Sequence, residues 1–399
     1  MSALLRKGTW VAIAAGVFAG GAAIVHMTAT EPRIAVANPP THEVISRAID
    51  SEMEVSPSLA AQKDGSLAIA WIAQTGGREG AGRYVGVRVS EPKAGKLGPL
   101  FRVQGPSGVV SHATVVPYGA DFVLVFASGD NVYSAHITRE GASAPELVAA
   151  GAKAPRASAS GANLYVAMSD AKGVALATSR DGKTFAKHDL GADPTSFVAV
   201  CGDEHTALVV ANGEKRVTTW AMSIDPEGPP TSSDVSVISE HLAHTSPACF
   251  ITGEDAFVVY ALSDKPQDQN ENTIADSLVF VRSKDGGKNF LTRAPHRPSS
   301  RIYAPAIARG QGSFTVLGVM GSGPNDAHAS ASVIVLGADG RSQNGLTRTV
   351  IAPVTMATSP DAAGFMGDSL GLADVGGATW TAVVDNASGE SHVALASVL

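Results

Sequence analysis

The stretch Ser283-Lys284-Asp285-Gly286-Gly287-Lys288-Asn289-Phe290 decides the fold, and it has the form Ser-x-Asp-x-Gly-x-x-aromatic. It lies between two apolar runs. The Ser and Asp side chains of such a turn accept hydrogen bonds from its backbone N–H groups, and Gly supplies a left-handed conformation. A shorter relative, Ser179-Arg180-Asp181-Gly182-Lys183-Thr184-Phe185, comes earlier in the chain. Both stretches predict tight turns between strands, with the aromatic residue packing at the start of the second strand.

Outward from these turns, the chain past residue 50 repeats a loose unit of about 40 to 60 residues. Each unit opens with a small polar residue or a proline pair, followed by an apolar run, a Gly/Asp turn and a second apolar run. Short strands with regular turns and no convincing amphipathic helix predict an all-β fold. The openings lie at or near Ser56-Pro57, Ser111, Ala154-Pro155, Pro194-Thr195, Ser246-Pro247, Ala304-Pro305 and Ser359-Pro360.

A repeat of this length with four strands per unit predicts a β-propeller, in which each unit is a four-stranded antiparallel blade. Seven blades are preferred, and six remain possible if the fourth unit is an insertion. The final unit supplies three clear strands, so Glu43-Val44-Ile45 is predicted to add the missing outer strand. N- and C-terminal strands would then share one blade and leave no open edge.

The N-terminal segment, residues 1–37, has the features of an export signal. Arg6 and Lys7 precede an apolar run, residues 10–27, that contains no charged side chain. A small-x-small cleavage site is present at Ala35-Val36-Ala37. A cleaved signal peptide is one interpretation, and an uncleaved membrane anchor is the other. In both cases residues 38–399 are predicted to form the propeller outside the cytoplasm, as a periplasmic, secreted or anchored domain.

Charge and composition narrow the classes of partner. The net charge is −7, and only 17% of the residues are charged, so nothing indicates a phosphate-binding surface. We therefore expect no nucleic-acid partner. No His or Cys has the spacing of a zinc site, and we expect neither metal nor cofactor. A monomer is predicted, with the membrane contacted only through the N-terminal segment.

The chain has two cysteines, Cys201 and Cys249, each near the start of a unit. In an exported protein an even number of cysteines permits a disulfide, and the innermost strands of neighbouring blades lie close together. Two separate buried thiols are the other interpretation. The sequence leaves both open.

The two turns and the repeat resemble the sialidase superfamily of Asp-box (BNR-repeat) propellers. The C-terminal run Gly367-Asp368-Ser369-Leu370-Gly371-Leu372-Ala373 looks like the closing blade of bacterial exo-sialidase-like members. The resemblance implies a propeller with structural turns away from its ligand face, and it implies a glycan or an extracellular protein as partner. The turn residues it identifies are Ser179, Asp181, Gly182 and Phe185, and Ser283, Asp285, Gly287 and Phe290.

The resemblance also implies a test for catalysis. Sialidases bind the substrate carboxylate with three Arg residues and use a Tyr–Glu pair with an Asp acid/base. The first Arg lies in a Phe-Arg-Ile-Pro type motif, whereas the first unit here opens Val55-Ser56-Pro57-Ser58. A recognition module without catalysis is therefore the preferred function. The alternative is an exo-sialidase-type glycoside hydrolase acting on acidic sugars.

Residues in the segments that enter each innermost strand are expected to surround the axis of the propeller. They supply the candidate site. The catalytic candidates are Arg156, Arg301, Tyr303 and Asp361, and the ligand-rim candidates are Glu54, His112 and Asp368. Trp71, Trp220 and Trp380 lie in predicted strands, where we expect core packing rather than sugar stacking.

Overall fold

Alternating apolar runs and short turns rich in Gly and Asp place almost every described residue in a strand or a turn. The computed structural model describes residues 35–37, 42–46, 51–75, 82–191, 197–213, 216–225, 230–239, 246–262, 277–291, 301–309, 313–321, 328–337, 347–355, 369–375, 377–386 and 391–398. Within these ranges the structure contains strands and no helix, which confirms the predicted all-β class.

Two short N-terminal strands, β1 (Ala35–Ala37) and β2 (His42–Val44), precede the first of seven sheets, here called blades 1 to 7. Blade 1 contains β3 (Ser51–Ala61), β4 (Leu67–Thr75), β5 (Gly82–Val89) and β6 (Phe101–Val103). Blade 2 contains β7 (Val110–Tyr118), β8 (Asp121–Ser128), β9 (Asn131–Ile137) and β10 (Glu146–Ala150). Blade 3 contains β11 (Ala152–Ser160), β12 (Asn163–Asp170), β13 (Gly173–Ser179) and β14 (Ala186–Gly191).

Blade 4 contains β15 (Val198–Gly202), β16 (Thr206–Asn212), β17 (Val217–Ser223) and β18 (Thr231–Ser239). Blade 5 contains β19 (Ala248–Thr252), β20 (Asp255–Leu262), β21 (Ser277–Ser283) and β22 (Phe290–Leu291). Blade 6 contains β23 (Arg301–Arg309), β24 (Ser313–Gly321), β25 (His328–Gly337) and β26 (Thr347–Thr355). Blade 7 contains β27 (Gly371–Val375), β28 (Ala378–Asp385) and β29 (His392–Ser397).

The first strand of each blade lies innermost, and these strands form a closed ring. Each one packs against the innermost strands of the two neighbouring blades, and β27 packs against β3. The chain is therefore a seven-bladed β-propeller, as predicted. The fourth unit, which the sequence left open as an insertion, forms a complete blade from β15 to β18.

The second strand of each blade explains why the sequence is so apolar in short runs. Residues 67–71 of β4 and residues 164–168 of β12 are at most 1% exposed. A strand near the middle of a blade is covered on both faces by the neighbouring blades, so its residues need not alternate with polar ones. The described apolar residues form seven clusters, one at each interface between neighbouring blades. Trp71 and Trp220 lie within these clusters, which confirms the predicted core packing.

The N-terminus closes the ring as predicted. β2 pairs antiparallel with β29 and becomes the outer strand of blade 7. The N–H of Ile45 continues this pairing by donating to the carbonyl of Val393 over 2.9 Å. Blade 7 thus combines strands from both ends of the chain.

β1 pairs in parallel with β26 and adds a fifth strand to blade 6. The same three residues form the candidate cleavage site, so cleavage after Ala37 would remove this strand. Within the described ranges, no helix has the length and apolar character needed to cross a membrane. The apolar N-terminal run, residues 10–27, lies outside the described residues, and both interpretations of it stay predictions.

Candidate functional site

One residue of each innermost strand occupies the same position relative to the axis. The strand pairing identifies this residue, because in every blade it lies opposite the middle of the second strand. All of them line a common cavity. We call this set the axial ring, which consists of Ser58, Thr114, Arg156, Ala199, Ala248, Ala306 and Gly371, in order from blade 1 to blade 7.

A repeated backbone irregularity positions the axial ring in blades 1, 2, 3 and 6. The residue two places before the ring residue has a left-handed backbone, with φ between 48° and 53° for Ser56, His112, Ala154 and Ala304. The pairing register shifts at the same place. In three of the four blades the next residue is proline, which has no N–H group to leave unpaired at a bulge. In blades 1, 3 and 6 these bulges coincide with the proline pairs that open the units of the sequence.

The cavity on the axis has a volume of about 170 Å³ and contacts residues from all seven innermost segments. It stays open because most of the axial ring is small. Ala199, Ala248 and Ala306 have only a methyl side chain, and Gly371 has none. A Cβ atom at Gly371 would lie 2.6 Å from the Cβ atom of Leu59, so the close approach of blade 1 leaves no room for a side chain at this ring position.

Arg156 is the exception in this ring of small residues. Its Nη2 atom lies 3.3 Å from Oγ of Ser246 in blade 5, and its Nη1 atom donates to the carbonyl of Pro155 over 3.2 Å. The side chain therefore extends from blade 3 past blade 4 to the segment that enters blade 5. Among the described residues that line the cavity, Arg156 is the only charged one. A guanidinium group in this place provides a planar donor pair suited to a carboxylate.

The other catalytic candidates cannot be placed around Arg156. Arg301 and Tyr303 belong to the first residues of β23, immediately before the bulge of blade 6, and their side chains lie outside what the structure describes. Asp361 and the rim candidate Asp368 fall outside the described residues altogether. All four stay predictions.

Two rim candidates, Glu54 and His112, do not line the axial cavity. Glu54 is 0% exposed, its carboxyl group accepts a hydrogen bond from Ser46, and the same carboxyl group lies 3.4 Å from Nδ1 of His392. It is a buried residue of the blade 7 closure, so its assignment to a solvent-facing rim is wrong. His112 is half-buried at the left-handed position of the blade 2 bulge and is not part of the cavity lining.

Cys201 and Cys249 form a disulfide between the innermost strands of blades 4 and 5, with their Cα atoms 5.7 Å apart. Of the two interpretations that the sequence left open, the structure contains the bonded pair. Cys249 also lines the axial cavity, one residue beyond the ring residue Ala248. The disulfide thus fixes the wall of the cavity on the side that carries Ser246.

The two Ser/Asp turns lie away from this cavity and form the predicted hydrogen bonds. In blade 3, Oδ1 of Asp181 accepts from the N–H groups of Lys183 and Thr184 over 2.8 and 2.7 Å. The N–H of Thr184, and then that of Lys183, hold the pKa of Asp181 well below its usual range. Gly182 has a φ of 70°, and a Cβ atom there would lie 2.9 Å from Nε2 of His136. The turn therefore packs tightly against blade 2.

In blade 5, Oδ1 of Asp285 accepts from Oγ of Ser283 over 2.5 Å and from the N–H of Asn289 over 2.9 Å. Burial by itself would raise the pKa of Asp285, but the bonds from Ser283 and Asn289 outweigh burial and lower this pKa to about 2. Gly287 has a φ of 91° and packs against Leu208 of blade 4. Both turns therefore stabilise the interface with the preceding blade.

A depressed carboxyl pKa makes stability depend on pH in a defined direction. Because the folded-state pKa of Asp285 is about 2 and the unfolded value is near 3.8, its contribution is complete above about pH 4 and disappears as the pH falls towards 2. We expect Asp285→Asn to lower the melting temperature at pH 6 and to differ less from the wild type at pH 2.5. Asp121→Asn, at an exposed strand end, is the control, and a difference that grows on acidification would contradict this assignment.

The described residues contain no group of three His, Cys, Asp or Glu side chains that could hold a metal ion. Sequence reasoning missed Thr114 and Ser246 as cavity residues. In blades 1, 3, 5 and 6 the ring residue directly follows the pair that opens the unit, as in Pro155-Arg156 and Pro247-Ala248. Thr114 follows no such pair and Ser246 belongs to one, so this signal identified neither of them.

No protein-family model matches the chain, and no curated protein sequence matches it. Solved structures do. The hydrazine synthase of Kuenenia stuttgartiensis has a TM-score of 0.54 at 15% identity, over 88% of this chain and 98% of that chain. An α-L-arabinanase of Penicillium chrysogenum complexed with arabinobiose has a TM-score of 0.50 at 12% identity, over 90% and 98%.

The sialidase of Trypanosoma rangeli in complex with sialic acid also matches, with a TM-score of 0.48 at 10% identity. The match covers 92% of this chain and 60% of the sialidase. At these identities the likeness concerns the fold and no residue of a site. The comparisons place this chain among propellers whose fold is shared with glycoside hydrolases, and they assign it no activity.

Proposed function

We propose that this protein is a recognition module that binds the carboxylate of an acidic sugar at the end of a glycan, in the axial cavity and without catalysis. One observation carries the proposal: the axial ring has a small residue in six of its blades and an arginine in the remaining one, blade 3. The small ring residues leave the cavity open, and Arg156 places one positively charged group inside it. A planar guanidinium recognises a carboxylate by two parallel hydrogen bonds.

The chemistry of the lining supports binding rather than hydrolysis. Glycoside hydrolysis requires two carboxyl groups, or a tyrosine nucleophile with acidic partners, on the two sides of the scissile bond. The described residues that line the cavity include neither a carboxylate nor a tyrosine. The hydrolase alternative therefore depends on Arg301, Tyr303 and Asp361, which would have to meet beside Arg156.

Export is part of the same proposal. The charged and apolar N-terminal segment supports it, and so does the Cys201–Cys249 bond, because disulfides persist mainly in oxidising compartments. The partner would be an extracellular glycan. The whole chain would act as a monomer.

Calorimetric titration of the full chain with N-acetylneuraminic acid and with glucuronic acid tests the proposal. We expect Arg156→Gln to weaken binding of the acids by about 100-fold, because it removes a charged partner of the carboxylate. Arg156→Lys keeps the charge without the planar donor pair and is expected to weaken binding by about tenfold. Equal affinity of the wild type and Arg156→Gln would contradict the proposal.

Arg139→Gln is the matched control, since Arg139 is an exposed arginine that pairs with Glu91 outside the cavity. A second assay measures release from a fluorogenic aryl sialoside. Turnover that disappears in Arg301→Ala would overturn the non-catalytic proposal and establish the hydrolase alternative.

A further inference from the structure

Ser246 is the residue through which the segment entering blade 5 contacts Arg156. It lies two residues before the ring residue Ala248, it is 5% exposed, and it lines the axial cavity. Its Oγ atom lies 3.3 Å from Nη2 of Arg156. A guanidinium group can only donate hydrogen bonds, so Ser246 is the acceptor in this contact. The contact therefore does not use the hydroxyl proton of Ser246.

This hydroxyl proton needs an acceptor, because a serine hydroxyl donates one hydrogen bond besides those that it accepts. Within the part of the chain that the structure describes, the hydroxyl of Ser246 forms only the bond with Arg156. A buried hydroxyl whose proton meets no acceptor has lost its hydration without compensation. An acceptor bound in the cavity beside the guanidinium group would remove this cost.

The hydroxyl and the guanidinium group lie close enough together to hold one carboxylate. The 3.3 Å between Oγ of Ser246 and Nη2 of Arg156 is close to the length of a hydrogen bond, so a carboxylate placed against Arg156 also lies within reach of the hydroxyl. A carboxylate accepts hydrogen bonds at both of its oxygens. Hydrogen bonds to a charged acceptor are also stronger than those to a neutral one.

Both donors are held by the structure around them. Arg156 follows the bulge of blade 3, and its Nη1 atom donates to the carbonyl of Pro155. Ser246 lies three residues before Cys249, which the disulfide joins to Cys201 of blade 4. Donors that are fixed before the ligand arrives lose little conformational entropy on binding.

We propose that Ser246 is a second ligand-binding residue of the axial site, whose hydroxyl donates a hydrogen bond to the carboxylate that Arg156 holds. The terminal acidic sugar is then bound between blades 3 and 5. The inference rests on the proposed function, because it requires an acidic sugar on Arg156. A neutral sugar with a hydroxymethyl group in place of the carboxylate offers these donors a single uncharged oxygen and binds more weakly.

Calorimetric titration of the full chain with glucuronic acid tests the inference. We expect Ser246→Ala to weaken binding by about tenfold, the value of one hydrogen bond to a charged group. Ser246→Thr keeps the hydroxyl and should bind within about threefold of the wild type. Ser236→Ala is the matched control, because Ser236 donates to the carbonyl of Lys288 outside the cavity. Thermal melting of each variant shows whether the substitution alters folding.

A direct contact with the ligand is distinguished from mere positioning of Arg156 by the double variant Arg156→Gln/Ser246→Ala. Ligand-observed NMR at millimolar glucuronic acid compares it with Arg156→Gln alone, and a direct contact predicts a further loss of about threefold or more. If the two proteins bind equally, or if Ser246→Ala alone keeps wild-type affinity, the inference is overturned and the proposed function stands. Equal affinity of the wild type and Arg156→Gln, or absence of binding by the wild type, overturns both.

Discussion

Replacing both Cys201 and Cys249 by alanine is expected to lower the free energy of unfolding by about 4 kcal/mol. The two residues are separated by 48 positions, and a cross-link over a loop of that length removes about this much conformational entropy from the unfolded chain. The bond joins the innermost strands of blades 4 and 5, whose shared cluster already buries Leu208, Val210 and Val258. Urea unfolding of the oxidised wild type and the double variant measures the difference.

The reduced wild type provides the matched control for this experiment. Unfolding it in the presence of dithiothreitol breaks the same bond without changing a side chain, so it should lose a similar amount of stability. If the double variant and the reduced protein both remain within about 1 kcal/mol of the oxidised protein, the cross-link does not stabilise the propeller. A loss in the double variant alone would show that packing of the two side chains, rather than the bond, is responsible.

The fold was predictable because its signals are local. A blade can be recognised from a motif of a few residues, such as the bulge pair Ala154-Pro155 or the turn that ends in Phe290. The apolar run of each second strand needs no partner to be recognised. The closing strand at residues 43–45 could also be predicted, because the last unit has only three clear strands and the N-terminal segment contains a further strand-like run.

The site was less predictable because it depends on contacts between distant segments. Arg156 could be chosen from its place after a bulge, but its contact with Ser246 joins residues 90 positions apart. Thr114 looked like an ordinary strand residue until its equivalence with Arg156 placed it in the axial ring. An acid at the edge of a first strand resembles a rim residue, and only the fold reveals that Glu54 is covered.

Glu54 owes its burial to the closure of the ring. It lies in β3, and its backbone N–H donates to the carbonyl of Ser391 over 3.2 Å. Its carboxyl group accepts from Ser46, which follows the N-terminal strand, and lies 3.4 Å from Nδ1 of His392 in the C-terminal strand. Ser46 in turn accepts from the N–H of Val393 over 2.7 Å. One buried carboxyl group therefore links blade 1 to both ends of the chain.

Glu54→Ala is accordingly expected to lower the free energy of unfolding by about 3 kcal/mol, because each buried polar group that loses its partner costs about 1–3 kcal/mol. Glu54→Gln keeps an acceptor and should lose less. Hydrogen exchange should accelerate first in β2 and β29, the strands that this carboxyl group connects to blade 1. Glu43→Ala, an exposed acid in β2 itself, should change neither stability nor exchange. Exchange that rises evenly over all seven blades in Glu54→Ala would show that the residue supports the core generally and not the closure of the ring.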